Sequence, residues 1–175
     1  PGNVPSRGWL DSRYGRGRWT SGILLNLAIG QGEILATPLQ IALVYGLIAG
    51  NGRCGRPYLV EQIDSAGCVV YQHQPEILSV PIDTKHLTAI RKGLTRVVEF
   101  GTARTAHMHN IAIAGKTGTA ENPPRPDHAW FVCFAPADEP AVVFSILIEN
   151  AGHGGAVAAP IAARLVEAWF STAGL

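Results

Sequence analysis

The chain has 175 residues, 47% of them hydrophobic and only 15% charged, with a formal net charge of +1. That is enough for one globular domain with a real core, and it leaves no charge excess for a polyanion, so nucleic acid is not an expected partner. The longest apolar stretch, 41–49, is about half of what a bilayer span requires.

Residues 1–22 are rich in Gly, Pro, Ser and Arg, carry no sustained period, and read as a loop. Arg7, Arg13, Arg16 and Arg18 within it read as a solvated face rather than a phosphate patch. No basic and then apolar leader opens the chain, so targeting information is expected upstream. "TPLQ", 37–40, is a capping-box pattern with proline at the first helical position, and it predicts a helix over 38–50. This helix is apolar almost all round, which suits the inside of a larger body. Two strand-like runs, 57–63 and 68–73, flank "DSAG" and predict a hairpin. Asp83 is placed to cap a helix reaching about Glu99, with Leu87, Ile90, Leu94 and Val97/Val98 as its apolar stripe and Gly101 closing it.

The last third reads as a meander of three strands, 111–120, 128–135 and 141–148, with proline-rich turns between them. "AWFVCFA" and "AVVFSILI" are continuous apolar runs of strand length, so both faces of that sheet are expected to be covered. A terminal helix is predicted from near Pro160 to Phe170. The fold class is α+β, an antiparallel sheet flanked by helices. Three cysteines, Cys54, Cys68 and Cys133, are too scattered for a disulfide framework or a metal knuckle. Cys54 and Cys68 can be imagined meeting across a hairpin, and Cys133 reads as a small core hydrophobe.

"AGKTGTAE", 114–121, allows two chemistries. A phosphate-cradling P-loop needs glycine at 110, a loop before its lysine and a helix after it. Position 110 is asparagine, the preceding "IAIA" is strand-like, and Gly118 follows Thr117. The alternative is a strand of small residues with an open backbone. Period two then puts Thr117 and Thr119 on one side and Lys116 with Gly118 on the other. Such a strand at the rim of a cleft offers hydroxyls, a cation and N–H groups to an anionic, peptide-like ligand.

With "NLAIGQGEILATPLQIALVYGLIAGNG" (26–52), "HAWFVCFAPADEP" (128–140) and "IENAGHGGAVAAPIA" (148–162), this strand resembles the class B penicillin-binding proteins, bacterial peptidoglycan transpeptidases. The wording of the last two segments is most similar to the elongation-type members. The resemblance implies a serine acyltransferase with three elements: an S-x-x-K helix, an S-x-N loop and the K-T-G strand. It assigns Lys116 and Thr119 to catalysis and Lys116, Thr117, Gly118 and Thr119 to substrate binding. The Thr119 N–H would be half of an oxyanion hole. The resemblance implies no cofactor and no metal.

No serine here is followed three residues later by lysine, and no S-x-N occurs. The family places both motifs ahead of the "IGQGE" block. The chain is therefore expected to be the C-terminal half of a transpeptidase domain, inactive alone, with its missing N-terminal half as first partner. Stem peptides and β-lactams are the implied ligands, a membrane glycan polymerase the implied neighbour, and the periplasmic side of the inner membrane the implied location. A β-lactamase or D,D-carboxypeptidase of the same fold, or a non-catalytic penicillin-sensing domain, remains open at this stage. His107 and His109 read as solvated loop residues, His128 and His153 take no proton-transfer role, and "GQG", 30–32, reads as structural glycines.

Overall fold

The computed structural model describes residues 2–173; Pro1, Gly174 and Leu175, at the ends of the expected first loop and last helical unit, lie outside it. Helices α1 (Arg7–Tyr14), α2 (Ser21–Ala28) and α3 (Pro38–Ala49) come first. Four short strands follow: β1 (Arg53–Gly55), β2 (Gln62–Ser65), β3 (Cys68–Gln72) and β4 (Ile77–Ser79). Helix α4 (Thr84–Glu99) leads through a 3-10 turn to β5 (Ala114–Ala120), β6 (His128–Ala135) and β7 (Val142–Ile148), and α5 (Gly154–Ala173) ends the chain. This is the expected α+β arrangement.

The capping box of α3 forms as read. Thr37 Oγ1 accepts from the Gln40 N–H at 3.2 Å, and Gln40 Oε1 accepts from the Thr37 N–H at 2.9 Å. Asp83 caps α4 by accepting from the Lys85 N–H at 2.9 Å. The α4 stripe differs at one position: Leu87, Leu94 and Val98 are buried, but Ile90 is 44% exposed.

Several expectations are corrected. The 1–22 segment is not all loop. Ser6 accepts from the Trp9 N–H and starts α1, and Leu10 is buried at 2% exposure. One apolar anchor and one cap suffice there, and the glycines and arginines around them hide the period. The strand read over 57–63 lies later, at β2, and shares only 62 and 63 with it; β2 pairs with β3 in a hairpin that turns through Ala66 and Gly67, both at positive φ. A second small sheet, β1 with β4, forms from segments too short to show a period. Cys54 stands opposite Leu78 in that sheet and Cys68 opposite Ser65 in the hairpin, so the two thiols do not share a hairpin, and both are free. Helix α5 starts six residues before Pro160 and carries that proline inside it. Its interior side is buried on the sheet through Ala158, Ala159, Ala162 and Val166, and this packing outweighs the lost hydrogen bond at the proline.

The main sheet runs β5-β6-β7, antiparallel throughout. One face collects Ala129, Phe131, Cys133 and Ala135 with Ile146, and α5 covers it with Ala158, Ala159, Ala162 and Val166. The other face is covered only at one end, where Phe134 and Ala114 meet Tyr45, Ile48 and Ala49 of α3 and Leu94 of α4. The expectation of two covered faces therefore holds for half of the second face. The remainder, around Lys116, Gly118 and Trp130, opens onto a cleft. Among the described residues no helix is long and apolar enough to cross a membrane.

Candidate functional site

The cleft has a volume of about 590 Å³ and lies between α3, the 29–36 segment and the β5 end of the sheet. Its apolar side is made by Ile41 and Tyr45 with Trp130 and Leu147, which stand directly opposite each other on β6 and β7. Its polar side is Lys116 to Ala120. All four residues singled out in the sequence, Lys116, Thr117, Gly118 and Thr119, are thus brought to one cleft.

Among the described residues strand β5 pairs only with β6. Lys116 lies opposite Val132 and Gly118 opposite Trp130, on the cleft face, while Thr117 and Thr119 oppose Phe131 and Ala129. The alternation expected from period two is present. The backbone follows the same rhythm: in an antiparallel ladder, alternate residues turn both N–H and C=O to the same side. Lys116 Nζ donates to the Thr117 carbonyl at 2.7 Å, and Gln31 Nε2 donates to the Thr119 carbonyl at 2.8 Å. Residues 117 and 119 therefore face outward, and their N–H groups line the free edge beside an exposed ammonium.

The Thr117 hydroxyl is already engaged, 2.7 Å from the Thr102 hydroxyl. One of the two donates to the other, so one proton of the pair remains for a further acceptor. On the far side, the Tyr45 phenol is pushed up to about 12, first by burial and second by the charge of the nearby Cys133 thiolate when that forms. Burial likewise pushes the Cys133 thiol up to about 12. Both groups stay neutral at ordinary pH.

Two residues at the site were missed by sequence reasoning. Gln31 was taken only as the middle of a glycine pair. Gly30 and Gly32 do sit at φ +77° and +74°, as structural glycines would, but the residue between them reaches 88 positions along the chain to the edge of β5. The available signal was a lone amide between two glycines in an apolar segment. Thr102 had no signal, because only the close approach of the segment after α4 brings it to Thr117. His128 lines the cleft opposite Ala120, whereas His107 and His109 lie away from it. His128 Nδ1 accepts from the Asn150 N–H at 3.0 Å, and His107 and His109 form an edge-to-face ring pair with centroids 5.3 Å apart. Among the described residues no group of three His, Cys, Asp or Glu side chains is placed to hold a metal.

Residues 6–167 match the family model "Penicillin binding protein transpeptidase domain". The chain is 34% identical to the peptidoglycan D,D-transpeptidase MrdA of Haemophilus influenzae over 186 residues, covering 94% of this chain and 28% of that protein. It superposes on penicillin-binding protein 2 from Helicobacter pylori, solved in complex with MreC, with a TM-score of 0.81 at 30% identity, covering 99% of this chain and 32% of that one. It also superposes on the penicillin G acyl-enzyme of penicillin-binding protein A from Mycobacterium tuberculosis, with a TM-score of 0.75 at 30% identity, over 86% of this chain and 36% of that one. The chain thus spans about a third of the length of these relatives. With a family model covering 162 of its 175 residues, the chain belongs to the penicillin-binding protein transpeptidase domain family.

Proposed function

We propose that this chain forms one wall of the acyl-transfer site of a serine D,D-transpeptidase that cross-links peptidoglycan stem peptides. The nucleophilic serine is then carried by a part of the protein outside these residues. One observation carries the reading: a single strand edge, unpaired among the described residues, presents a cation, the Thr117 and Thr119 hydroxyls and outward N–H groups to one cleft. That set is complementary to a peptide ending in a carboxylate.

In this reading the serine oxygen attacks the penultimate D-alanine carbonyl. The C–N bond breaks, and D-alanine leaves with the proton on its amine. The amine of a neighbouring stem peptide then attacks the ester carbon, and the serine oxygen departs carrying the proton that the amine gives up. Lys116 holds positive charge beside the terminal carboxylate, and the Thr117 and Thr119 hydroxyls donate to that carboxylate. The Thr119 N–H is one oxyanion donor, a contribution typically worth about 3 kcal/mol of barrier. Gly118 keeps the strand face low beneath the substrate. β-Lactams enter as mimics of the same dipeptide, a reading supported by the penicillin G acyl-enzyme of the M. tuberculosis relative.

The proposal extends to place and partners. The protein is a membrane-anchored enzyme on the periplasmic side, working beside a glycan polymerase. The complex of the H. pylori relative with MreC supports a role inside such an assembly.

Acylation by a fluorescent penicillin, measured as a second-order rate on the full-length protein, tests the site. Lys116→Ala should lower that rate by orders of magnitude, and Thr119→Val should weaken recognition while leaving the backbone donor in place. Rates near wild type in both variants would remove the assigned roles. The isolated 175-residue chain should form no covalent adduct, and a stoichiometric one would mean that it carries its own nucleophile.

A further inference from the structure

Gln31 has no part in the acyl-transfer roles above, yet it is built into the same edge. Helix α2 ends in a Schellman closure, with the Gln31 N–H donating to the Asn26 carbonyl at 2.9 Å and the Gly30 N–H to the Leu27 carbonyl at 3.0 Å. Gly30 at φ +77° makes that turn possible, and Gly32 at +74° turns the chain again immediately after. The result aims one carboxamide, on a flexible side chain, at the Thr119 carbonyl 2.8 Å away.

An extended peptide that adds to a strand edge exchanges both an N–H and a C=O with each outward-facing residue. At Thr119 the N–H faces the open edge, but the carbonyl is already occupied. A ligand N–H that reaches this carbonyl competes with the Gln31 amide, which already engages one of the oxygen's two lone pairs. A ligand without a donor there leaves the Gln31 bond intact.

We propose that Gln31 is a specificity-determining residue, its carboxamide holding the Thr119 carbonyl as a stand-in for a ligand N–H. The inference rests on the acyl-transfer reading of the same cleft. With Gln31 present, a donor-bearing ligand trades one hydrogen bond for another and gains little over a ligand that lacks the donor. Without it, the donor-bearing ligand satisfies a free carbonyl, while the other ligand covers that carbonyl and leaves it unpaired. Discrimination between the two ligands therefore increases when Gln31 loses its donor.

The test uses the full-length protein with penicillin G and with penicillin G methylated at its side-chain amide nitrogen, two ligands that differ by one N–H donor. Second-order acylation rates are measured for wild type, Gln31→Leu and the isosteric Gln31→Glu, which keeps the shape and removes the donor. The rate ratio of the two ligands should rise about five- to a hundredfold in both variants, the range expected when an unsatisfied carbonyl replaces a paired one. If Gln31 serves only to hold the loop, both ligands slow alike, the ratio stays at its wild-type value, and the proposal is overturned. Should Gln31→Leu lose its fold, Gln31→Glu decides alone. A wild-type protein acylated by neither ligand would overturn the acyl-transfer reading and this inference together.

Discussion

Gly154→Ala and Gly93→Ala make the same chemical change in two helices and should move stability in opposite directions. Gly154 opens α5 where the helix lies against the sheet. A Cβ there would stand 2.0 Å from the Trp130 carbonyl oxygen and 2.5 Å from that of Gly118, both backbone atoms, whereas real Cβ contacts under 3.0 Å essentially do not occur. Helix α5 must therefore retreat by about 1 Å, and it carries Ala158, Ala159, Ala162 and Val166, all at 0% exposure, with it. Overpacking of this kind costs about 1–3 kcal/mol, against which the better helix propensity of alanine returns up to about 1 kcal/mol. A net loss of about 1–2 kcal/mol lowers the melting temperature of a domain this size by about 2–8 °C. Gly93 lies within α4 with nothing within 4 Å of its added Cβ, so Gly93→Ala should gain about 0.5–1 kcal/mol. Thermal melts of the protein followed by circular dichroism, with the two variants in parallel, give the comparison. Because Gly118 shares the clash, Gly154→Ala should also slow acylation. If Gly154→Ala melts at or above wild type, the close seating of α5 on the sheet is wrong.

Cys133 and Tyr45, both raised by burial to about 12 from ordinary values of 9.0 and 10.0, keep protons when folded that the unfolded chain releases. Their contribution is fully present below the unfolded values and is lost as pH rises toward the folded ones, so denaturant stability should fall across that alkaline window. Cys133→Ala should remove part of the slope, and a flat wild-type profile would contradict the burial of both groups. A thiol reagent at neutral pH should modify exposed Cys68 at once and Cys133 only as the protein opens; simultaneous labelling would mean that β6 is not sealed by α5. Strand β7 pairs only with β6 among the described residues, and its apolar residues make an unprotected edge. The isolated chain should therefore associate with rising concentration in light scattering, and a stable monomer with protected amides on both sides of β7 would refute this.

The elements legible in the sequence were those whose determinants are local. Thr37, Pro38 and Gln40 close a capping box within one turn, Asp83 caps α4 from two residues away, and the continuous apolar runs of β6 and β7 are of strand length. The placement of the β5 residues was legible for the same reason, since Lys116, Thr117, Gly118 and Thr119 are consecutive and strand alternation assigns their faces. What the sequence could not disclose depends on segments far apart in the chain. Helix α1 rests on the burial of one residue, Leu10, and α5 extends through Pro160 because a sheet of distant residues repays the missing hydrogen bond. Thr102 and Gln31 are ordinary polar residues until tertiary packing sets one 2.7 Å from Thr117 and the other 2.8 Å from the carbonyl of Thr119. A motif states which groups a strand carries. Only packing decides which of them are already paired and which stay free to meet a ligand, because hydrogen bonds between distant segments follow from the fold and not from spacing along the chain.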